Sequence, residues 1–200
     1  MSGAFGFPIF VDVRDRRVVV AGGVREAASK ADALVELGAI VARWLPTDGR
    51  WEPGILASAV LAIVGTGDRV LDHRIAADAR AAGVLVNTVD DPAFCDWSAP
   101  AILRRGELTV AIGTGGIAPA LAVRLRDRIA ADVGPEHGRL LELFAAVRAR
   151  IAASGRSFAE RRRLWYRLVD GPAVALLRAG DDDEARSEIE REIARWEAPA

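Results

Sequence analysis

Short, unbroken runs of β-branched and apolar residues recur through the first half of the chain. They are Arg17–Ala21, Ile40–Leu45, Ala59–Gly65, Val84–Val89 and Leu108–Ile112. Helix-like stretches over about Arg25–Leu37 and Arg69–Ala82 lie between them. A strand that is apolar at every position has both faces covered. Such strands alternating with helices predict a parallel, doubly wound sheet. The segment Pro46–Leu56 is poor in β-formers, so the sheet has room for one strand fewer than a full nucleotide-binding half.

After Thr114 the strands stop. Pro119 suits the first turn of a helix running to about Val133. On it Leu121, Leu125 and Ile129 share one face, and Arg124 and Arg128 another. Gly134-Pro135 ends it. A second helix is read over 136–153 and a third from Ser157, with Glu160 completing a capping box. A fourth is read over Asp181–Trp196. The apolar stripe on these helices is more than one chain is expected to cover, so a homodimer is expected.

Composition narrows the function. Lys plus Arg number 27 and Asp plus Glu 28, for a net charge of −1. No broad basic field exists, so nucleic acid is not an expected partner. No apolar run reaches about 18 residues, so no membrane span is expected. The opening "MSGAFGFPIF" lacks a basic stretch followed by a long apolar one, so no secretory signal is expected. The single cysteine, Cys95, excludes an internal disulfide and suits a reducing cytoplasm. His73 and His137 are too few and too far apart for a structural metal site, and no residue is assigned to a metal. His73 is read as a helix-face residue, Cys95 as a small core or loop residue, and Arg161–Arg163 as a solvated helix face.

Three stretches carry chemistry. In "VVVAGGVREAASKADAL" a strand, a glycine turn and a helix follow one another, as where a dinucleotide's pyrophosphate is held. Gly22 fills the tight-turn position and Ala27 the close-packing one. Val24, next after Gly23, stands where the second glycine is needed, and its side chain would project toward the phosphates unless the turn takes another course. "AIVARWLPT" offers Arg43 and no acidic residue at the end of the second strand. Intact NAD binding and a retained fold with a weakened site both stay open. In "VNTVDDPAFCDW" Asn87, Asp90 and Asp91 follow an apolar strand. Ligands of parallel sheets bind at strand carboxyl ends, so Asp90 is a candidate proton acceptor or cation ligand. A plain Asp-Asp-Pro turn is the alternative. Thr114-Gly115-Gly116, between strand and helix, is either an anion site or a connector with a cap.

Taken together these segments resemble the precorrin-2 dehydrogenase/sirohydrochlorin ferrochelatase family, which is also the N-terminal part of bifunctional siroheme synthases. The likeness runs from "FPIFVDVRDRRVVVAGG" through "KADALVELGA" to "VNTVDDPAFCDWSAPAILRRGELTVAIGTGGIAPALAVRLRDRI" and the tail "ERRRLWYRLV". It implies oxidation of precorrin-2 to sirohydrochlorin with NAD+, and in some members insertion of Fe2+, as chelation substrate, to give siroheme. It places Lys30, the only lysine, on the lysine that follows the glycine turn. It gives Asp90 the role of catalytic aspartate and sets Thr114 in the tetrapyrrole cleft.

Gly22, Gly23, Val24, Lys30 and Thr66 are then the expected cofactor side. Asn87, Thr114, Gly115, Gly116 and Arg124 are the expected substrate side. Arg104, Arg105 and Arg128 are further candidates for the substrate's carboxylates. Three positions depart from the family pattern, all on the cofactor side: Val24 replaces a glycine, Asp72 a frequent asparagine, and a strand is missing between about Thr47 and Ser58. No methyltransferase half is expected after Ala200.

The reading is an α/β fold: a Rossmann-like doubly wound sheet, abbreviated, over residues 1–113. A dimerisation region over 114–153 and a C-terminal helical region over 154–200 follow. The expected activity is NAD-dependent dehydrogenation in the cytoplasm, with or without chelation. A chelatase with a degenerate NAD site, and a non-enzymatic tetrapyrrole or nucleotide sensor, are the alternatives.

Overall fold

The computed structural model describes residues 7–198. Residues 1–6, part of the stretch on which the expectation about a secretory signal rests, lie outside the described residues. The chain divides into two compact units, residues 1–100 with 113–119, and 101–112 with 120–200.

The first unit is built on four parallel strands: β1 (Arg17–Ala21), β2 (Ile40–Trp44), β3 (Ala59–Val64) and β4 (Leu85–Thr88), in the order β2-β1-β3-β4. Helix α1 (Arg25–Glu36) joins β1 to β2, and α2 (Arg69–Ala81) joins β3 to β4. Residues alternate faces along a strand, and both faces are covered. Val19, Ala21, Ala62, Val64 and Val86 pack with Ile75, Ala76 and Ala79 of α2. Val20 and Ile63 pack with Ala27 and Ala31 of α1. That is why Val18, Val19 and Val20 are each no more than 1% exposed, and why the strands read as continuous apolar runs.

Among the described residues no strand forms between β2 and β3. Two short 3-10 turns, Pro46–Asp48 and Pro53–Leu56, occupy the connection. Trp51 fills the space, packed edge-on to Trp44 at 5.2 Å between ring centroids. Its indole Nε1 donates to Asp78 of α2 at 2.9 Å, so a buried polar group is satisfied where a strand would have supplied a ladder. The abbreviated sheet is therefore closed by side chains.

Leu108–Ile112 does not join the parallel sheet, contrary to the sequence expectation. It is β6 of an antiparallel hairpin with β5 (Ala101–Arg105), turning at Gly106, whose φ is 56°. A two-residue turn with a left-handed glycine matches the strands' own twist and forces the antiparallel pairing. The hairpin belongs to the second unit. There Gly138 lets the fourth helix approach it: a Cβ on Gly138 would lie 2.6 Å from the Arg105 carbonyl oxygen.

The remaining helices are α3 (Pro119–Asp132), α4 (Glu136–Ala153), α5 (Phe158–Asp170), α6 (Ala173–Ala179) and α7 (Asp182–Glu197). Their core joins Leu140, Phe144, Val147 and Ile151 of α4 to Leu164 and Leu168 of α5, Leu177 of α6, and Ile189 and Ile193 of α7. Ser157 and Glu160 form the capping box read from sequence. The helix α6 escapes periodicity because it has only seven residues, between Pro172 and a left-handed Gly180.

Candidate functional site

The chain leaves β1 for β2 on one side and then crosses to β3 on the other. The carboxyl ends of β1 and β3 are thus the topological switch point, where parallel sheets hold ligands. Gly22 begins the turn there with φ 103°. A Cβ on it would lie 2.0 Å from the carbonyl oxygen of Gly65, so no other residue fits. Gly23 is less constrained; its nearest obstacle would be Leu45 Cδ2 at 3.3 Å. Two bonds tie this turn to the one after β3: Gly65 N donates to Ala21 O at 2.8 Å, and Val24 N donates to Gly65 O at 3.2 Å.

Val24 has φ −62° and ψ 147°, ordinary extended backbone, so its position asks for no glycine on conformational grounds. Its side chain is half-buried and turned toward Gly65. Its Cγ2 lies 2.5 Å from where a Gly65 Cβ would be, and it packs with Val20, Ala27 and Val89. The crevice between the two turns is occupied by this isopropyl group.

Whether a dinucleotide suits these residues can be judged from the same geometry. The N-terminus of α1 carries no side-chain cap, and its first-turn amides face an anion's natural seat. Gly22 and Gly23 keep the backbone bare beside it. The residues fit the pyrophosphate, with Val24 narrowing the approach.

Thr66 is held rigidly. Its backbone N–H and its Oγ1 both donate to Oδ1 of the buried Asp72, at 2.9 and 2.7 Å. Only one carbonyl-type oxygen is needed there, a requirement that aspartate and asparagine both meet. Asp68 caps α2, accepting from the amides of Val70 at 2.9 Å and Leu71 at 3.3 Å.

At the end of β4 the polar groups interlock. Asn87 is buried; its Oδ1 accepts from Lys30 Nζ at 2.6 Å and its Nδ2 donates to the Trp97 carbonyl at 2.9 Å. Burial lowers the Lys30 pKa, opposed by the fields of Cys95, Asp90 and Glu26. Cys95 is a pin in this loop. Its Sγ accepts from Thr88 N at 3.2 Å and donates to the Thr88 and Asp91 carbonyls, and burial raises its pKa. A thiol so placed is not poised as a nucleophile.

Asp90 follows β4 by two residues and has φ 56°, a left-handed conformation uncommon outside glycine. Its carboxylate is exposed and accepts no hydrogen bond from the described residues. Its neighbour Asp91 is buried, and its Oδ2 meets His73 Nε2 at 2.7 Å and Arg69 Nη2 at 3.1 Å. The His73 hydrogen bond, then the Arg69 charge, hold the Asp91 carboxyl below its ordinary range. The His73 ring stacks on Phe94 at 3.7 Å. This cluster of α2 side chains on the loop was not legible as such. The signals were Arg69 and His73 four residues apart on one helix face and the second aspartate of Asp-Asp-Pro.

The residues read from sequence thus fall into groups. Gly22, Gly23, Val24 and Thr66 meet at the paired turns. Lys30 and Asn87 are bonded, with Asp90 within the lysine's field. Thr114, Gly115 and Gly116 make a separate turn in the first unit. There Thr114 Oγ1 accepts from Ala118 N at 3.4 Å, and both glycines are left-handed. Arg124 is exposed on α3 in the second unit. Among the described residues no three His, Cys, Asp or Glu side chains gather as for a metal ion. No helix there is long and apolar enough to cross a membrane.

Known proteins match this arrangement in the same order along the chain. Residues 9–101 match the "Putative NAD(P)-binding" family model, 105–131 the "Sirohaem biosynthesis protein central" model, and 136–193 the "Sirohaem synthase dimerisation region" model. A siroheme synthase of Chromobacterium violaceum is 34% identical over 205 residues, covering 94% of this chain and 44% of that protein. One of Nitrosospira multiformis is 33% identical over 207 residues, covering 93% and 44%. The chain thus spans less than half the length of these relatives. The solved structure of SirC, precorrin-2 dehydrogenase, superposes with a TM-score of 0.68 at 19% identity, covering 93% of this chain and 100% of that one. The last likeness is one of fold.

In chain order, then, the protein is similar to an NAD(P)-binding region, a sirohaem biosynthesis central region and a sirohaem synthase dimerisation region. Along 94% of its length the chain resembles part of siroheme synthases.

Proposed function

We propose that this protein oxidises precorrin-2 to sirohydrochlorin, with Asp90 as the general base. The observation that carries the reading is Asp90 itself. An exposed carboxylate that makes no hydrogen bond with the described residues follows a strand's carboxyl end, in a left-handed turn and within the field of a half-buried lysine. In this reading the backbone of Gly22, Gly23 and Val24 holds the pyrophosphate of NAD+ at the N-terminus of α1. Thr66 and Lys30 border it. NAD+, when bound, supplies the hydride acceptor. Asp90 accepts the accompanying proton. Asn87 keeps the Lys30 ammonium fixed. Thr114 and the amides of Gly115 and Gly116 hold a carboxylate of the tetrapyrrole.

A second reading has its own support: Val24 fills the crevice between the turns, which favours a protein that only inserts Fe2+ into sirohydrochlorin. Turnover of precorrin-2 with NAD+, and of sirohydrochlorin with Fe2+, separates the two. NADH formation from precorrin-2 is expected; its absence alongside metal insertion sinks the dehydrogenase reading.

The domain reading goes with the function, as a cytoplasmic homodimer: the expected cofactor part, 1–113, loses the hairpin 101–112 to the helical unit and gains the turn up to residue 119, and the dimerising and helical parts follow over the rest of the chain. Apolar side chains left exposed support the dimer: Leu121 at 52% on α3, and Phe158 at 74% and Tyr166 at 55% on α5. Light scattering at micromolar concentration should return twice the chain mass, and a monomer would refute it.

A further inference from the structure

We propose that His73 and Asp91 act as a positioning pair that fixes the Asp90 carboxylate for proton transfer. The proposal rests on the reading of Asp90 as the base.

The argument begins with strain. Asp90 has φ 56°, which a non-glycine residue adopts at some cost and which persists only where neighbours enforce it. Among the described residues its own side chain has no hydrogen-bond partner that could do so. The enforcement must come from the residues that follow. Asp91 is 8% exposed, and burying a carboxylate is costly unless it is paired. A loop serving only to turn the chain would leave this second aspartate in water, as such turns commonly do. Here it is drawn inward to a helix.

His73 is the side chain that draws it. One face of its ring lies nearly parallel to Phe94, 6° apart, and its Nε2 reaches Asp91 Oδ2 at 2.7 Å. With Asp91 ionised, Nε2 carries the proton and donates it. One imidazole therefore grips both ends of the stretch from Asp91 to Phe94. Arg69 bonds the same oxygen, but its side chain is 76% exposed, so its share is screened. The backbone completes the frame: Phe94 N donates to Asp91 O at 3.0 Å, and Asp91 N to Thr88 O at 3.3 Å. Beyond Phe94, Arg80 bonds Asp96 at 2.9 Å and ties the loop to α2 again. His73 and Asp91 do not touch Asp90; they act through the peptide that joins residues 90 and 91.

The test compares His73→Phe, which keeps the stack on Phe94 and removes the donor, with His73→Gln, which restores a donor. The kcat and the KM for the tetrapyrrole are measured for whichever of the two reactions the native protein performs, with NAD affinity by calorimetry. Displacing a base by about 1 Å costs up to roughly 100-fold, so His73→Phe should lose roughly 10- to 100-fold in kcat. KM and NAD affinity should be kept, and His73→Gln should recover most of the loss. Native kcat in folded His73→Phe, or no recovery in His73→Gln, overturns the proposal. Should His73→Phe fail to fold, Asp91→Asn replaces it: lowered kcat at unchanged KM supports the pair, and native kcat refutes it. Asp90→Asn, run beside them, isolates the underlying reading. If Asp90→Asn turns over normally, Asp90 is not the base. If it is dead while the His73 variants are native, the base stands and the positioning pair falls.

Discussion

Two parts of the sheet's carboxyl edge are built in opposite ways. The turn after β1 is shaped by what is absent: Gly22 is forced by a backbone 2.0 Å away, and the room around it is filled with Val24, Ala27 and Val89. The loop after β4 is shaped by what is present. Lys30, Asn87, Thr88, Cys95, His73 and Asp91 pin it with directed bonds. An apolar turn can exchange one side chain for another and keep its path, because packing is tolerant of shape where backbone angles are ordinary. A loop held by a buried polar network has no such freedom, since each lost partner leaves another group unsatisfied. This asymmetry gives a physical reason why a valine can stand in the turn after β1.

The comparison breaks most visibly at Asp90. Asp90→Asn removes charge and basicity, while asparagine tolerates the left-handed conformation at least as well. Loss of a general base costs roughly 100- to 10,000-fold in rate, and that loss is expected with tetrapyrrole binding and melting temperature nearly unchanged. An active variant with a slightly lower melting temperature would make Asp90 a turn residue. The turn after β1 should respond the other way, in stability before activity. Gly22→Ala places a Cβ against the Gly65 carbonyl in a φ 103° conformation. Strain of about 1–3 kcal/mol is expected from the backbone alone, with a similar amount from overlap. Chemical denaturation would report it, and a native unfolding midpoint would show that the two turns can separate without cost.

Much of this was legible in the sequence because it rests on periodicity. Unbroken runs such as Val18–Val20 announce a strand covered on both faces, and the helices of the second half declare their ends with Pro119, Ser157 and Glu160. What stayed hidden depends on contacts between distant residues. Leu108–Ile112 has a strand's composition, but only its partner Ala101–Arg105 and the Gly106 turn decide that it pairs antiparallel. For the site, Gly22 and Asp90 stand out by type and place. The Asp91–His73 bond spans 18 residues and two elements, and no spacing rule reaches it. Val24 was legible as a departure, but its direction was not. Side-chain orientation follows from φ and ψ, and these come from the bond between Val24 N and Gly65 O.

That direction sets the smallest effect and the sharpest test of the contrast. Val24 sits at the N-cap of α1 with φ −62°, so glycine there gives up no required conformation and is a tolerated cap. Removing the isopropyl group exposes Gly65 and uncovers part of Val20 and Ala27. The stability loss should be about 1–2 kcal/mol, in line with the burial of a valine side chain. The same change opens the crevice and lets the backbone come nearer the pyrophosphate. NAD affinity should rise roughly threefold to tenfold, about 1 kcal/mol, while Asp90-dependent turnover at saturating NAD+ stays level. The paired measurement is calorimetric titration with NAD+ beside thermal unfolding. Weaker stability with stronger binding means that this apolar turn trades cofactor affinity for packing. Tight binding in the native protein with no gain in Val24→Gly would mean that the pyrophosphate passes on the far side of the turn, where the valine never meets it.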